Sequence, residues 1–310
     1  LMKIIAGVDE VGRGPLAGPV LAAAVVLPKD HSIEGLRDSK KLSKKQREAL
    51  IPEITGQATG IGIGKVEVEV IDKINIREAT LKAMKIALGN LPDKPDEALI
   101  DGHPLDNQKI PNRGIIGGDD MVDSIKAASI IAKVTRDNIM SDYGRIFPEY
   151  GFENHKGYGT KAHMEALEEY RATPIHRRTF KPVINKMPTL TWLSNKNRLK
   201  WMGEKLAALY LHKKGMEIIQ MNWVSSPQTE VSIVGKQQQT LVFIDVNTTY
   251  NPQEVIDGEA KTRKKVDALL AAQIGYFSKI KNNLKFRIDS VFVELKKNSP
   301  TIEYFKGIYK

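Results

Sequence analysis

Two adjacent acids close an apolar run near the start of the chain, in Ile4-Ile5-Ala6-Gly7-Val8-Asp9-Glu10-Val11-Gly12-Arg13-Gly14. Neighbouring carboxylates at the end of a strand repel each other, and a divalent cation removes that repulsion. Hard oxygen donors suit Mg²⁺ or Mn²⁺. Gly12 and Gly14 carry no Cβ, so backbone N–H groups there can come close to a ligand. Arg13, between them, offers a planar cation matched to phosphate. Asp101 and Asp119 each follow a short run that reads as strand, and strand ends are where α/β sheets gather ligand sites. Four carboxylates gathered from three separate runs suffice for a two-metal centre. Two ions about 3.5–4 Å apart then clamp the attacking and leaving oxygens of an in-line phosphoryl displacement. The set points to metal-dependent chemistry on a sugar–phosphate backbone. Asp120, Asp123 and Asp137 compete for the same role. Asp123 is most simply a helix cap, and Asp137 either joins as a fifth acid or pairs with Arg136.

The elements that must carry these groups read as mixed α/β. Residues 3–8 and 21–27 are apolar runs of strand length, and 59–70 alternates as a third strand. Residues 72–88 carry apolar side chains at helical spacing. Short strands at 98–100 and 114–117 deliver Asp101 and Asp119. A long helix starts near Asp123-Ser124, either a good N-cap, and runs to about 146, its Ala127-Ala128 pair suited to close packing on the sheet. Residues 147–187 form a cap region with a helix at 161–171. A linker covers 188–197. Beyond it come a helix at 198–214 closed by Gly215, strands at 217–221, 230–234 and 241–246, a helix at 259–278 and a strand at 287–293. That is enough for a separate small domain.

Composition narrows the class. The chain has 310 residues, no Cys and a net charge of +10. Its length favours two domains. Disulfides and thiolate zinc sites are excluded. No apolar stretch approaches the roughly 18 residues of a membrane span, and a secretory leader is not expected. A cytoplasmic monomer with no membrane partner is the expectation. Charge is uneven: residues 1–189 hold 28 Lys and Arg against 26 Asp and Glu, whereas 190–310 hold 19 against 11. A basic second half suits a polyanion.

The stretch from Gly7 to Val20 closely resembles the opening of the bacterial ribonuclease HII family. So do Asp38-Ser39-Lys40-Lys41-Leu42-Ser43 and Ile100-Asp101-Gly102. Gly118-Asp119, the run from Ala127 to Asp137, His155-Lys156-Gly157-Tyr158 and Pro174-Ile175-His176-Arg177 follow in order. The resemblance covers about 2–187, giving a domain at 1–187. It implies a ribonuclease H-like mixed sheet flanked by helices. The implied activity is cleavage of RNA in RNA–DNA hybrids and incision 5′ to single ribonucleotides in duplex DNA, leaving 5′-phosphate and 3′-hydroxyl. The family's metal-binding acids map onto Asp9, Glu10, Asp101 and Asp119. Asp9 would bridge two ions, Mg²⁺ or Mn²⁺. Asp119 would serve the ion that activates water, and Glu10 and Asp101 the ion at the leaving group. Only a 2′-hydroxyl distinguishes RNA from DNA at one nucleotide. Backbone groups of Gly12, Arg13 and Gly14 are placed to bind it, and the family's tyrosine at Tyr158 contacts it and stacks on the next sugar. Lys40 and Lys156 read as phosphate contacts.

Residues 198–295 resemble the YraN-like (UPF0102) proteins, on Gly203-Glu204-Lys205, Asn222, the run from Thr229 to Val234 and the run from Leu241 to Thr248. This implies a small α/β restriction-endonuclease-like domain, here 198–310. Period-two alternation puts Phe243, Asp245 and Asn247 on one face, with Val242, Ile244 and Val246 facing the core. Trp201 and Trp223 read as core residues. Ser232 stands where that family has a metal-binding Asp, and Asn247 where it has a catalytic Lys, while Glu204, Glu230 and Asp245 remain. The domain is therefore expected to bind nucleic acid without cutting it. Two alternatives stand beside this reading. The second domain also cleaves DNA through Glu204 and Asp245, or the whole chain binds hybrids without catalysis and the four acids are idle. The tail 301–310 shows no clear sliding-clamp motif, and protein partners are not indicated.

Overall fold

Small and branched apolar residues build most of the first sheet. β1 (Ile5–Val11) pairs antiparallel with β2 (Val20–Val26) and parallel with β4 (Glu97–Asp101), which sets Val8 beside Ile100. β3 (Gly60–Val66) adds to β2 antiparallel and β5 (Asn112–Ile115) to β4 in parallel, giving the order β3-β2-β1-β4-β5. Every residue of β2 is buried, as expected of an all-apolar strand covered on both faces. The computed structural model describes residues 3–226, 229–250, 285–297 and 299–309. They divide into two units, Leu1–Ser141 with Asn154–Lys186, and Asp142–Glu153 with Met187–Lys310.

In the first unit, α1 (Lys44–Gln57) opens on a reciprocal capping box between Ser43 and Gln46. α2 (Val68–Gly89) covers one face of the sheet, where Ala79, Ala83 and Ala87 join Ala6, Val8, Ala22 and Ala24 in one core. The approach is close enough that a Cβ on Gly64 would strike the carbonyl oxygen of Ala83. Asn75 interrupts α2 with φ of 65°. Its side-chain oxygen accepts from the N–H groups of Arg77 and Glu78 and so caps the part that follows. α3 (Gly118–Met121) is a single turn, and α4 (Asp123–Ile146) follows it. Ala127, Ala128 and Ile131 of α4 pack with Ile54 of α1 against Ala23 and Val25 on the opposite face. The expected tight packing of the alanine pair is what the structure contains. The cap carries α5 (Phe152–His155), α6 (Lys161–Tyr170) and α7 (Lys181–Ile184).

Three local expectations change. The third strand stops at Val66, and residues 68–70 belong to α2. Val68 and Ile71 are both buried there, a spacing of three that suits a helix as well as the short alternation suits a strand. The strand before Asp119 ends at Ile115, so Asp119 stands in the turn of α3 rather than at a strand end. The stretch expected as a linker contains α8 (Leu190–Asn195), capped by Thr189.

The second unit continues with α9 (Leu199–Lys213), ended by Gly215 at φ of 82°. Its sheet has the order β10-β9-β8-β7-β6. The strands are β6 (Glu217–Ser226), β7 (Thr229–Gln237), β8 (Thr240–Thr249), β9 (Lys285–Glu294) and β10 (Thr301–Tyr309). β8 and β9 run parallel and the other pairs antiparallel. The helix expected at 259–278 lies outside the described residues. β10 extends the sheet beyond the strand expected to close it. Val242, Ile244 and Val246 are buried as expected, but so is Phe243, which packs with Trp223, Val231, Val234, Leu241 and Ile288. Both faces of the sheet are covered at that position, which overrides simple alternation. Trp223 is core; Trp201 is half-buried, and its Nε1 donates to Glu149 at 2.7 Å. The Lys205 ammonium, also buried, meets the same carboxylate at 3.0 Å. Among the described residues no helix is long and apolar enough to cross a membrane.

Candidate active site

β1 and β4 are parallel neighbours, so Asp9 and Asp101 leave the same end of the sheet side by side. Alternation would send Glu10 to the opposite face from Asp9. At the strand end it nevertheless reaches the group: one oxygen each of Asp9, Glu10 and Asp101 lies within 4.8 Å of the others. Asp119 stands alongside. Its backbone N–H donates to Asp101 Oδ1 at 3.3 Å, and its Oδ2 lies 3.5 Å from the Lys40 ammonium. The structure thus brings three of the expected acids into one cluster, with the fourth bonded to it through the main chain.

The electrostatics are those of a crowded anionic site. Burial and then the Glu10 charge, with a lesser push from Asp101, raise the Asp9 carboxyl to about 8 against the opposing hydrogen bond of the Ser129 hydroxyl. Burial also raises Glu10, although the Arg13 guanidinium, 3.4 Å away, pulls the other way. Asp101 is raised by burial and then by Asp119. Three carboxyls held above their ordinary range, with oxygens close enough to share a ligand, fit hard divalent cations. Without a cation, Asp9 holds a proton at neutral pH instead.

The remaining candidates separate. Asp120 pairs with Lys41 at 2.6 Å, and Asp123 with Lys126 at 2.8 Å. Asp137 joins neither the acid cluster nor Arg136. Its carboxylate lies 2.8 Å from Lys133 and 3.7 Å from Arg47. The Lys156 ammonium is directed at α4, 2.9 Å from Ser141 Oγ and 3.3 Å from the Asp137 carbonyl. Lys40 is exposed beside Asp119, and Tyr158 is exposed with its ring near Gly14, where a Cβ would meet Cε1 at 3.5 Å.

Two buried arginines lie within the quoted motifs, and their contacts hold the loop between β1 and β2. Arg136 donates to the carbonyls of Pro19, Ala17 and Lys156 at 3.0, 3.0 and 2.9 Å. Arg177 donates to those of Gly12, Arg13 and Gly18. A signal for Arg136 exists in the sequence. Ala128, Ala132, Arg136 and Met140 recur every four residues, and all are fully buried, so the arginine interrupts an apolar helix face. Arg177 lies in an irregular segment and has no such signal.

In the second unit the remaining acids are held by side chains. Glu204, 1% exposed, accepts from Asn222 Nδ2 at 3.0 Å and lies 3.5 Å from the Lys200 ammonium. Lys200 also meets Glu230 at 3.0 Å. Asn247 donates to Asp245 at 2.9 Å, and Ser232 Oγ accepts from the Val246 N–H at 3.3 Å. Among the described residues the only group of three or more acids close enough to share a cation is that of Asp9, Glu10 and Asp101.

A family model described as ribonuclease HII matches residues 6–183, and one described as uncharacterised protein family UPF0102 matches residues 203–293. The chain is 56% identical over 181 residues to a ribonuclease HII of Enterococcus faecalis, covering 58% of this chain and 71% of that protein. It is 56% identical over 178 residues to a ribonuclease HII of Acetivibrio thermocellus, covering 57% and 70%. Among solved structures, the ribonuclease H2 of Pyrococcus horikoshii is similar with a TM-score of 0.52 and 30% identity, over 59% of this chain and 96% of that one.

Proposed function

This chain belongs to the ribonuclease HII family, and on that premise we propose that it cuts the RNA strand of RNA–DNA hybrids and incises 5′ to single ribonucleotides in duplex DNA. The products carry a 5′-phosphate and a 3′-hydroxyl. The observation that carries this reading is the convergence of Asp9, Glu10 and Asp101 at one sheet end, with Asp119 bonded beside them. These four acids would hold two divalent ions, Mg²⁺ or Mn²⁺. When bound, such ions supply an activated water and charge stabilisation at the leaving oxygen.

The chain's own residues then divide the work. The four carboxylates would serve as ligands, and Asp9, whose carboxyl burial pushes up to about 8, would give up its proton to do so. Backbone groups of Gly12, Arg13 and Gly14 receive the 2′-hydroxyl, and Tyr158 lies against the neighbouring sugar. Lys40 is available to a phosphate beside Asp119; Lys156, occupied on α4, is a weaker candidate. The catalytic module is 1–187. The 198–310 module serves as a basic nucleic-acid-binding accessory. Supporting that role are Ser232 and Asn247 at positions where a nuclease needs Asp and Lys, and the side-chain partners already holding Glu204, Glu230 and Asp245. We propose a cytoplasmic monomer acting on ribonucleotides within duplex DNA.

Product mapping tests the reading. An end-labelled duplex with one ribonucleotide should yield a single cut on its 5′ side, with a 3′-hydroxyl on the upstream fragment. A cut on the 3′ side, or a cyclic phosphate end, would exclude it. The full-length Asp9→Asn protein should leave supercoiled DNA intact. Nicking by that variant would favour a second nuclease centre in the 198–310 module.

A further inference from the structure

The carbonyls of the loop between β1 and β2 are turned toward buried guanidinium groups. Arg177 Nη1 donates to the Arg13 carbonyl at 2.7 Å, Nη2 donates to the Gly12 carbonyl, and Nε donates to the Gly18 carbonyl at 3.1 Å. In a trans peptide the C=O and the following N–H point in opposite directions, and the described residues contain no cis peptide. Drawing the Gly12 carbonyl inward therefore turns the Arg13 N–H outward. Drawing the Arg13 carbonyl inward does the same for the Gly14 N–H. Arg13 and Gly14 are both exposed, while Arg177 is fully buried. The two outward N–H groups form a small donor pair next to the exposed ring of Tyr158, three and four residues after Glu10.

We propose that Arg177 is a positioning residue that sets ribose recognition: it orients the Gly12–Arg13 and Arg13–Gly14 peptides so that their N–H groups meet a 2′-oxygen. The inference rests on the ribonucleotide reading given above. Arg177 touches no substrate; it works through the backbone. Its guanidinium suits this role, since Nε, Nη1 and Nη2 each donate to a different carbonyl of the loop. The neighbouring Arg136 closes the same loop from α4, and Gly12 must lack a side chain because a Cβ at its φ of +93° would strike the Arg136 guanidinium stem. Carbonyls that accept from a cation are polarised, which strengthens the N–H on the far side of the same peptide as a donor.

The test is a binding comparison on the full chain with Ca²⁺ replacing the catalytic ion. Wild type and Arg177→Lys are titrated with a duplex containing one ribonucleotide and with the all-DNA duplex of the same sequence. Lysine keeps the charge but cannot serve three carboxamide oxygens in a plane. The preference for the ribonucleotide duplex should fall about tenfold, while Mn²⁺ still raises the melting temperature of the variant as it does in wild type. A folded Arg177→Lys protein that keeps the wild-type preference overturns the inference alone. If wild type shows no preference, the ribonucleotide reading fails and the inference falls with it. If Arg177→Lys does not fold, Gly14→Pro decides, since it deletes one N–H and leaves Arg177 in place. Loss of preference in that variant supports the proposal, and retention overturns it.

Discussion

The Nε2 atoms of His163 and His176 lie 3.0 Å apart in the interior of the first unit, where both rings are fully buried. The surrounding bonds settle the tautomers. The Thr173 N–H donates to His176 Nδ1 at 2.9 Å, so His176 carries its proton on Nε2 and donates to His163. His163 then carries its proton on Nδ1 and donates to the Tyr158 carbonyl at 2.9 Å. Only the doubly neutral state satisfies this chain, because a second proton would set two N–H groups against each other.

Acid should therefore destabilise the protein through this pair. Burial pulls His163 down to about 4 and His176 well below its ordinary value. Between about 6.5 and 4 the unfolded chain binds protons that the folded chain refuses, so this contribution is complete above 6.5 and is lost as pH falls toward 4. At pH 5 the loss from His163 alone is about 2 kcal/mol. Proton NMR of the imidazole C–H signals checks it: neither ring should titrate above pH 5. A midpoint near 6.5 for His163 would contradict the arrangement.

Asp9 behaves in the opposite sense. Its folded value of about 8 lies above the unfolded one. In the metal-free protein its favourable share is complete at low pH and disappears as pH rises through 8. Asp9→Asn should be more stable than wild type without metal, by about 1–3 kcal/mol above pH 8, with the gap closing toward pH 4. Mn²⁺ should raise the melting temperature of wild type and leave that of the variant nearly unchanged. Urea denaturation across pH, with and without Mn²⁺, reads both effects.

In the second unit, Lys200→Met should cost about 1–3 kcal/mol by leaving the buried Glu204 carboxylate with Asn222 as its remaining close partner. Glu204→Gln in the same background should recover most of the loss. Thermal melts of the single and double variants test the coupling, and additive losses would rule it out.

Gly64→Ala should lower stability by about 3 kcal/mol or more. The added Cβ would meet the carbonyl oxygen of Ala83, a backbone atom of α2 that cannot rotate away. A melting temperature within a degree of wild type would mean α2 sits farther from β3 than described.

Much of this arrangement was legible in the residues themselves. The strands of the first sheet and the long helix α4 follow from apolar runs and spacing, and Asp9, Glu10 and Asp101 stand together at the sheet end as their strand-end positions suggest. What was not legible depends on three-dimensional partners. Residues 68–70 fit either periodicity, and packing of Val68 and Ile71 chose the helix. Asp119 was expected at a strand end, but Gly117 at φ of 70° starts a helical turn before it. Asp137 lies on α4 within reach of Lys133, and the distant Arg47 completes its neutralisation; no spacing in the sequence reports that contact. β10 follows a short break at 295–300 and gains its partner only when β9 is in place. Arg177 and His176 sit in a loop, where no period distinguishes buried polar residues from solvated ones, and His163 lies on α6 beside the buried Ala166 and Leu167, where its partner His176 is visible only in three dimensions.

The central claim is that the acids at the end of β1 and β4 form a centre for cutting beside a ribonucleotide. Its most direct test is incision of a duplex bearing one ribonucleotide, with Mg²⁺ or Mn²⁺, by wild type and Asp9→Asn, against an all-DNA control. The account predicts a cut 5′ to the ribonucleotide by wild type, none in the control, and none by the variant with either ion. Undiminished cutting by Asp9→Asn, or an intact ribonucleotide duplex and hybrid with wild type under both ions, would contradict it.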